Sequence, residues 1–272
     1  MPPTHPSSPQ NEAVEAIAAS PARSFPRSGI YCLIRNVAEA FKCLLLLLMK
    51  SGPARAVYGH RFLAATTGNA IERSFAMFGA TEDGHRLLRS RPNSAQALSD
   101  RAALSGCPPG SLGKCYIDFI DEYGLDPHYH WHFQPAGGSS PASDSLRQWY
   151  RLRIHVTHDL RHVVAGYRPN ELGEVCLMAF RFAQLRHFGT LVLTLVGAFN
   201  LFLRRRGPVF CSVFEAYHRG RHSRLLDLLP WEASLGEQLA VHRAALGLKP
   251  PQRYPASFAP DDYITSEPAA HQ

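Results

Sequence analysis

Between His155 and Glu174 the chain concentrates side chains that can grip a cation: His158, Asp159 and His162 on one helical face, then Glu174 beyond a turn. Residues three and four apart on a helix are surface neighbours, with Cβ atoms about 5–6 Å apart. His158 and His162 can therefore reach one ion, Asp159 borders the same stripe, and His155 extends it. Glu174 follows His162 by twelve residues. On one unbroken helix that is roughly 18 Å along the axis, too far to share an ion. The helix must end between them, and Gly166-Tyr167-Arg168-Pro169-Asn170 supplies the break. Gly166 suits the left-handed position after a helix, Pro169 cannot continue the ladder, and Asn170 is a good cap for a second helix starting at Glu171. Two antiparallel helices packed at about 8–10 Å bring the Glu174 carboxylate to the two imidazoles.

Two imidazoles with one or two carboxylates suit zinc, iron(II), manganese or cobalt, and a facial set of two His and one carboxylate leaves positions open for water, oxygen or substrate. The expected cofactor is one divalent metal ion, zinc, iron, manganese or cobalt, on His158, His162 and Glu174, with Asp159 a further ligand or the residue that orients His162. An ordinary solvated helix face does not explain why Leu160, Val163 and Val164 make the flanks apolar while the polar residues align. A second arrangement, His128-Tyr129-His130-Trp131-His132, would point three imidazoles one way if extended. Set in a Pro- and Gly-rich loop with few carboxylates nearby, it reads as a surface or lid segment. A phosphohydrolase built on the adjacent His-Asp pair needs a further upstream His and a distant Asp, for which His132 and Asp227 are available but not placed by their surroundings. No Gly-x-Ser-x-Gly elbow of a serine hydrolase occurs.

His158-Asp159-Leu160-Arg161-His162, eleven residues, then Glu174 resembles the signature of the coenzyme Q biosynthesis protein 4 family. The continuation from Gly173 to Gln184 is similar to its bacterial members. Pro109-Gly110-Ser111-Leu112-Gly113 with Tyr116 and Phe119 resembles the stretch before the family's core. Tyr217-His218-Arg219-Gly220, Leu229-Pro230-Trp231-Glu232 and Arg243 to Leu248 resemble its closing segment. The likeness runs from about residue 95 to 250. Before the His-Asp pair the family often carries Arg then Glu, where this chain has His155 and Val156; Arg153 does match a basic position. Altered surroundings of this kind shift metal choice or substrate orientation while leaving the ligands intact.

The resemblance implies a ubiquinone biosynthesis protein acting on a polyprenylated hydroxybenzoate. The implied reaction is metal-dependent removal of the ring carboxylate, oxidative where that carbon is also hydroxylated, with His158, Asp159, His162 and Glu174 as catalytic residues. The implied partners are the prenylated aromatic substrate, other enzymes of the pathway, a peripheral membrane contact and a second copy of the chain. A function of a different class is a non-catalytic scaffold that presents prenylated intermediates, its metal merely clamping the hairpin. An Ala- and Arg-rich composition points to the cytoplasmic face of a bacterial inner membrane; a eukaryotic source would put the protein on the matrix side of the mitochondrial inner membrane.

At 272 residues there is room for one domain of about 200 with a sizeable core. With 29 basic against 22 acidic residues the net charge is +7, which suits anionic headgroups, acidic substrates or nucleic acid. Without a zinc finger, an RNA-binding aromatic signature or a long basic run, no nucleic-acid partner is expected. The six cysteines form no Cys-x-x-Cys pair and read as reduced core residues in a reducing compartment. The fold expected is all-α: a single helical domain over residues 28–250 with a metal-binding helix hairpin and disordered ends at 1–27 and 251–272. The first tail lacks a secretory apolar core and, with Glu12 and Glu15, makes a poor transit peptide. Helices are expected over Tyr31–Lys50, Ala54–Met77 and Leu112–Tyr123, with Gly79, Gly84, Pro92, Pro108 and Pro109 as punctuation and a loop from Gly124 to Ser143. Phe188–Leu203 is apolar but too short, and too interrupted by Gly189, Gly197 and Asn200, to span a bilayer. It is either a core helix or a lipid-facing or tunnel-lining one with Arg204, Arg205 and Arg206 at the interface, and the resemblance favours the second.

Overall fold

The structure, a computed structural model, describes residues 38–46, 53–66, 70–126, 143–205 and 207–255. The expectations for the two tails up to residue 27 and beyond 255, and for His128, His130 and His132, lie outside the described residues. Within them every regular element is helical, apart from an isolated antiparallel bridge between Ser111 and Gln238. The elements are α1 (38–46), α2 (Pro53–Thr66), α3 (Ala70–Gly79), α4 (Glu82–Ser90), the short α5 (Ser94–Ser99) and α6 (Arg101–Ser105), α7 (Leu112–Tyr123), α8 (Ser143–Val156), α9 (His158–Ala165), α10 (Glu171–Leu185), α11 (Phe188–Arg205), α12 (Val209–His222) and α13 (Leu239–Ala245).

α10 is the hub. It packs most extensively on α12 and α11 and much less on α9. Leu172, Cys176 and Phe180 of α10 meet Leu160 and Val164 of α9, Tyr116, Ile117 and Ile120 of α7, Ala198 and Leu201 of α11, Val209 and Ala216 of α12, and Trp231 in one buried cluster. Each large apolar side chain removed from water there contributes on the order of 1.5–3 kcal/mol. A second cluster of Phe75, Phe78, Leu87, Leu88, Leu146 and Tyr150 joins α3, α4 and α8, and a third ties α1, α2 and α11 through Cys43, Phe62 and Leu193.

α7 has the bounds its periodicity predicts, with Leu112, Tyr116 and Ile120 buried. The stretch expected to be helical over Ala54–Met77 is helical in α2 and α3, and residues 67–69 between them lie outside the described ones. Gly84 is not a break but lies inside α4: its amide meets the Thr81 hydroxyl at 3.0 Å, and a Cβ there would sit 1.8 Å from the Phe78 carbonyl oxygen. Only its missing side chain lets α4 close onto the end of α3. Packing also runs past residue 250. Ser212 donates to the Arg253 carbonyl at 2.7 Å, and Glu215 accepts the amides of Gln252 and Arg253, both at 2.7 Å.

α11 has one buried side and one exposed side. Leu193, Ala198 and Leu201 are buried, whereas Phe188, Leu195, Phe199, Phe202 and Leu203 are exposed and continue onto Phe210 and Phe214 of α12. Among the described residues no helix is long and apolar enough to cross a membrane. Cys43 and Cys176 are core residues as expected, but Cys107 and Cys115 are half-buried and Cys211 is exposed on α12.

Candidate metal centre

α8 and α9 are separated by Thr157, whose φ of −92° and ψ of 13° bend the chain and whose hydroxyl returns to the Arg153 carbonyl at 2.7 Å. His155 therefore lies in the last turn of α8, across the bend from His158, and is not among the donors that converge with His158 and His162. α9 stops at Gly166, which takes a φ of +78° and returns its amide to the His162 carbonyl at 2.8 Å. The remaining last-turn carbonyls of α9 are claimed by two arginines. Arg243 donates to Val163 and Val164 at 2.8 and 3.0 Å, and Arg219 donates to Ala165 at 2.9 Å and to the Tyr167 hydroxyl at 2.5 Å. Cations at a helix C-terminus satisfy orphan carbonyls and complement its dipole.

Past the turn, Asn170 caps α10 by accepting the Gly173 amide at 2.8 Å, and the Tyr254 hydroxyl donates to the same Asn170 oxygen at 2.9 Å. The turn read from Gly166, Pro169 and Asn170 is thus present, with the capping residues as expected, but the two helices it joins pack only sparingly on each other.

It brings three donors together. His162 Nε2 lies 3.0 Å from Glu174 Oε1 and 3.2 Å from His158 Nε2, and His158 Nε2 lies 3.5 Å from the same carboxylate oxygen. Nitrogen and oxygen ligands about 2.0–2.1 Å from a tetrahedral ion stand roughly 3.3 Å from one another, so this triangle fits a zinc-sized cation. Asp159 is not part of the converging group. It is buried and acts on His162 through its charge.

The group is asymmetric. The His162 side chain is fully buried, while His158 and Glu174 keep 31% and 23% of theirs exposed, so the group opens to solvent on their side. Phe119 of α7 stacks on the closed side of His162, rings 6.1 Å apart and 20° from parallel. Burial by itself pulls the His162 pKa down, but the Glu174 carboxylate outweighs it, with Asp159 and the Tyr167 backbone adding to the net rise. For Glu174, burial pushes upward and the two histidines more than reverse it, leaving the carboxyl well below its ordinary range. Hence Glu174 is a carboxylate at neutral pH, the form a metal requires.

Asp227 is not available for phosphohydrolase chemistry. It is fully buried and held by Arg161 at 3.0 Å and by Arg181 at 2.8 and 2.9 Å. Sequence reasoning gives no structural role to these arginines, nor to Arg219, Arg243 and Tyr254. A legible signal did exist for Arg181, a lone charge in the apolar run from Val175 to Ala183.

A family model described as coenzyme Q (ubiquinone) biosynthesis protein Coq4 matches residues 51–252. Similar curated proteins include the mitochondrial ubiquinone biosynthesis protein COQ4 of Pyricularia oryzae, 27% identical over 176 residues, covering 63% of this chain and 55% of that protein. The Mus musculus COQ4 homolog is 24% identical over 173 residues, covering 63% of each chain. The match thus spans only about half the length of the Pyricularia oryzae protein. A crystal structure of a putative ubiquinone biosynthesis protein from Nostoc punctiforme superposes with a TM-score of 0.57 at 20% identity, covering 78% of this chain and 98% of that one, which establishes a shared fold. The chain belongs to the coenzyme Q (ubiquinone) biosynthesis protein Coq4 family.

Proposed function

We propose that the protein holds one divalent metal ion, zinc first, with iron, manganese or cobalt also suiting the donors, on His158, His162 and Glu174, and acts with it in ubiquinone biosynthesis on a polyprenylated hydroxybenzoate. The observation that carries this reading is the convergence of three donor atoms within 4.8 Å of one another, contributed by two helices of a hairpin in a Coq4 family member. When bound, the ion supplies a Lewis acid that favours an ionised phenol and stabilises charge on the ring.

The residues do the rest. His162, buried against Phe119, holds its ring in one orientation, and the charge of Asp159 supports it there. His158 and Glu174 line the open side, where the aromatic head of the substrate enters. The ring carboxylate leaves as carbon dioxide and a proton replaces it. In the oxidative form, dioxygen and two electrons from a donor install a hydroxyl at that carbon and yield water.

The exposed aromatic face of α11 and α12, with Arg204 at its end, supports a peripheral membrane contact where an isoprenoid tail would be delivered. In a bacterium that surface is the cytoplasmic face of the inner membrane, and in a mitochondrion the matrix side. The same face favours a second reading, a prenyl-lipid-binding scaffold that hands intermediates to other pathway enzymes, itself a homodimer. Purified protein given metal and a prenylated hydroxybenzoate separates the two. Release of carbon dioxide without partners supports the enzyme, and saturable binding without turnover supports the scaffold.

A further inference from the structure

The ligand set is split between helices that have little direct contact. His158 and His162 ride on α9 and Glu174 on α10, yet α10 packs far more extensively on α11 and α12 than on α9. A productive constellation has to be held within about 0.5 Å. A tie beyond the shared core and the short turn would hold one helix against the other in register.

One buried carboxylate touches both. Arg161, next to His162 on α9, donates from Nη2 to Asp227 Oδ1 at 3.0 Å. Arg181 lies seven residues after Glu174, two turns along the same side of α10, and donates from Nη1 to both oxygens of Asp227 at 2.8 and 2.9 Å. The Asp227 side chain has no exposed surface, and those of Arg161 and Arg181 keep only 4% and 13% of theirs. Arg161 Nη1 donates to the Ile154 carbonyl at 2.7 Å, and Arg153 donates to the Asp227 carbonyl at 2.7 Å, so α8 and the turn carrying Asp227 join the same node.

Such a node is poorly explained as a stability device. Desolvating buried charges offsets most of their attraction, and apolar replacements of similar volume are often as stable. Burial, with Arg181 and Arg153 nearby, lowers even the Arg161 pKa to about 9. What a shared buried carboxylate does supply is register. Two guanidinium groups on different helices are tied to one carboxylate and share its Oδ1, and a slide of either helix leaves a charge unpaired.

We propose that Asp227 is a positioning residue for the metal-ligand set: through Arg161 and Arg181 it locks α9 against α10 and keeps Glu174 within reach of His158 and His162. This rests on the metal reading given under Proposed function. Asp227 touches neither ion nor substrate.

The test uses cobalt(II) as probe on the full chain. Its visible absorption reports ligand geometry, and competition against a chelator gives affinity. Arg181→Met cuts the tie to α10 while leaving the Arg161–Asp227 pair, and Leu87→Ala in the separate α3/α4/α8 core is a destabilised control. The expected result is a cobalt affinity lowered ten- to one hundredfold in Arg181→Met, with a shifted visible spectrum and retained helical dichroism, beside wild-type values in Leu87→Ala. Wild-type affinity and spectrum in Arg181→Met overturn the proposal, as does an equal loss in Leu87→Ala. Should Arg181→Met not fold, Arg181→Lys decides by the same measures: a partial loss of affinity supports the tie, and none overturns it. Wild-type protein that takes up no cobalt sinks the metal reading itself, a result distinct from either outcome of the variants.

Discussion

Glu174 Oε1 lies 3.0 Å from His162 Nε2 across a turn of five residues, and each shifts the other, the histidine becoming more basic and the carboxyl more acidic than usual. Everything functional in the account depends on that approach, and the approach depends on how α9 ends and α10 begins.

Gly166→Ala tests the turn. An alanine at a φ of +78° is strained, and its Cβ would lie 3.2 Å from Pro251 Cδ. The left-handed region costs a residue with a Cβ about 1–2 kcal/mol. The variant should melt several degrees lower by circular dichroism and bind metal more weakly.

Removing the Tyr254 hydroxyl in Tyr254→Phe frees the Asn170 oxygen from one of its two donors. The loss should be about 1 kcal/mol in urea unfolding. An unchanged urea midpoint would show that residues 250–255 do not support the cap.

These particular residues show what a sequence exposes. The Gly166 stop, the Asn170 cap and the bounds of α7 were legible because each follows from local backbone chemistry. So was the convergence of His158, His162 and Glu174, since helix period and one turn decide it. The bend at Thr157 between His155 and His158 was not, because Thr157 bonds back to Arg153 instead of capping α9, a choice made by packing around it. Asp227 lies 66 residues from Arg161 and 46 from Arg181, and nothing local marks such partners. Gly84 looks like a stop in the sequence, but its reason for being glycine is a neighbouring helix end, not its own turn.

Acid unfolding should carry the signature of Asp227. Burial pushes its pKa upward, but Arg181 and Arg161 more than reverse this, so the folded value lies below the ordinary 3.8. A group with a depressed folded pKa contributes stability that is present above the unfolded value, about 3.9, and is lost as pH falls through the folded one. Wild-type stability in urea should therefore drop below about pH 4. Asp227→Asn should be less stable at neutral pH and show a shallower drop over the same range; identical slopes would contradict the assignment.

On the outer face, Phe199→Glu and Phe214→Glu replace side chains that are 57% and 70% exposed. Exposed positions of this kind change stability by no more than about 0.5 kcal/mol. Flotation with vesicles containing anionic lipid should fall several-fold for the double variant while its melting is unchanged. Equal flotation would remove this face as the membrane contact.

The central claim is tested by elemental analysis of the purified protein beside His162→Ala and Glu174→Ala, each verified as helical. The account predicts one equivalent of a divalent metal in the wild type and a loss of most of it in both variants, with quinone production failing in cells that carry Glu174→Ala. Equal metal content in all three proteins would contradict it.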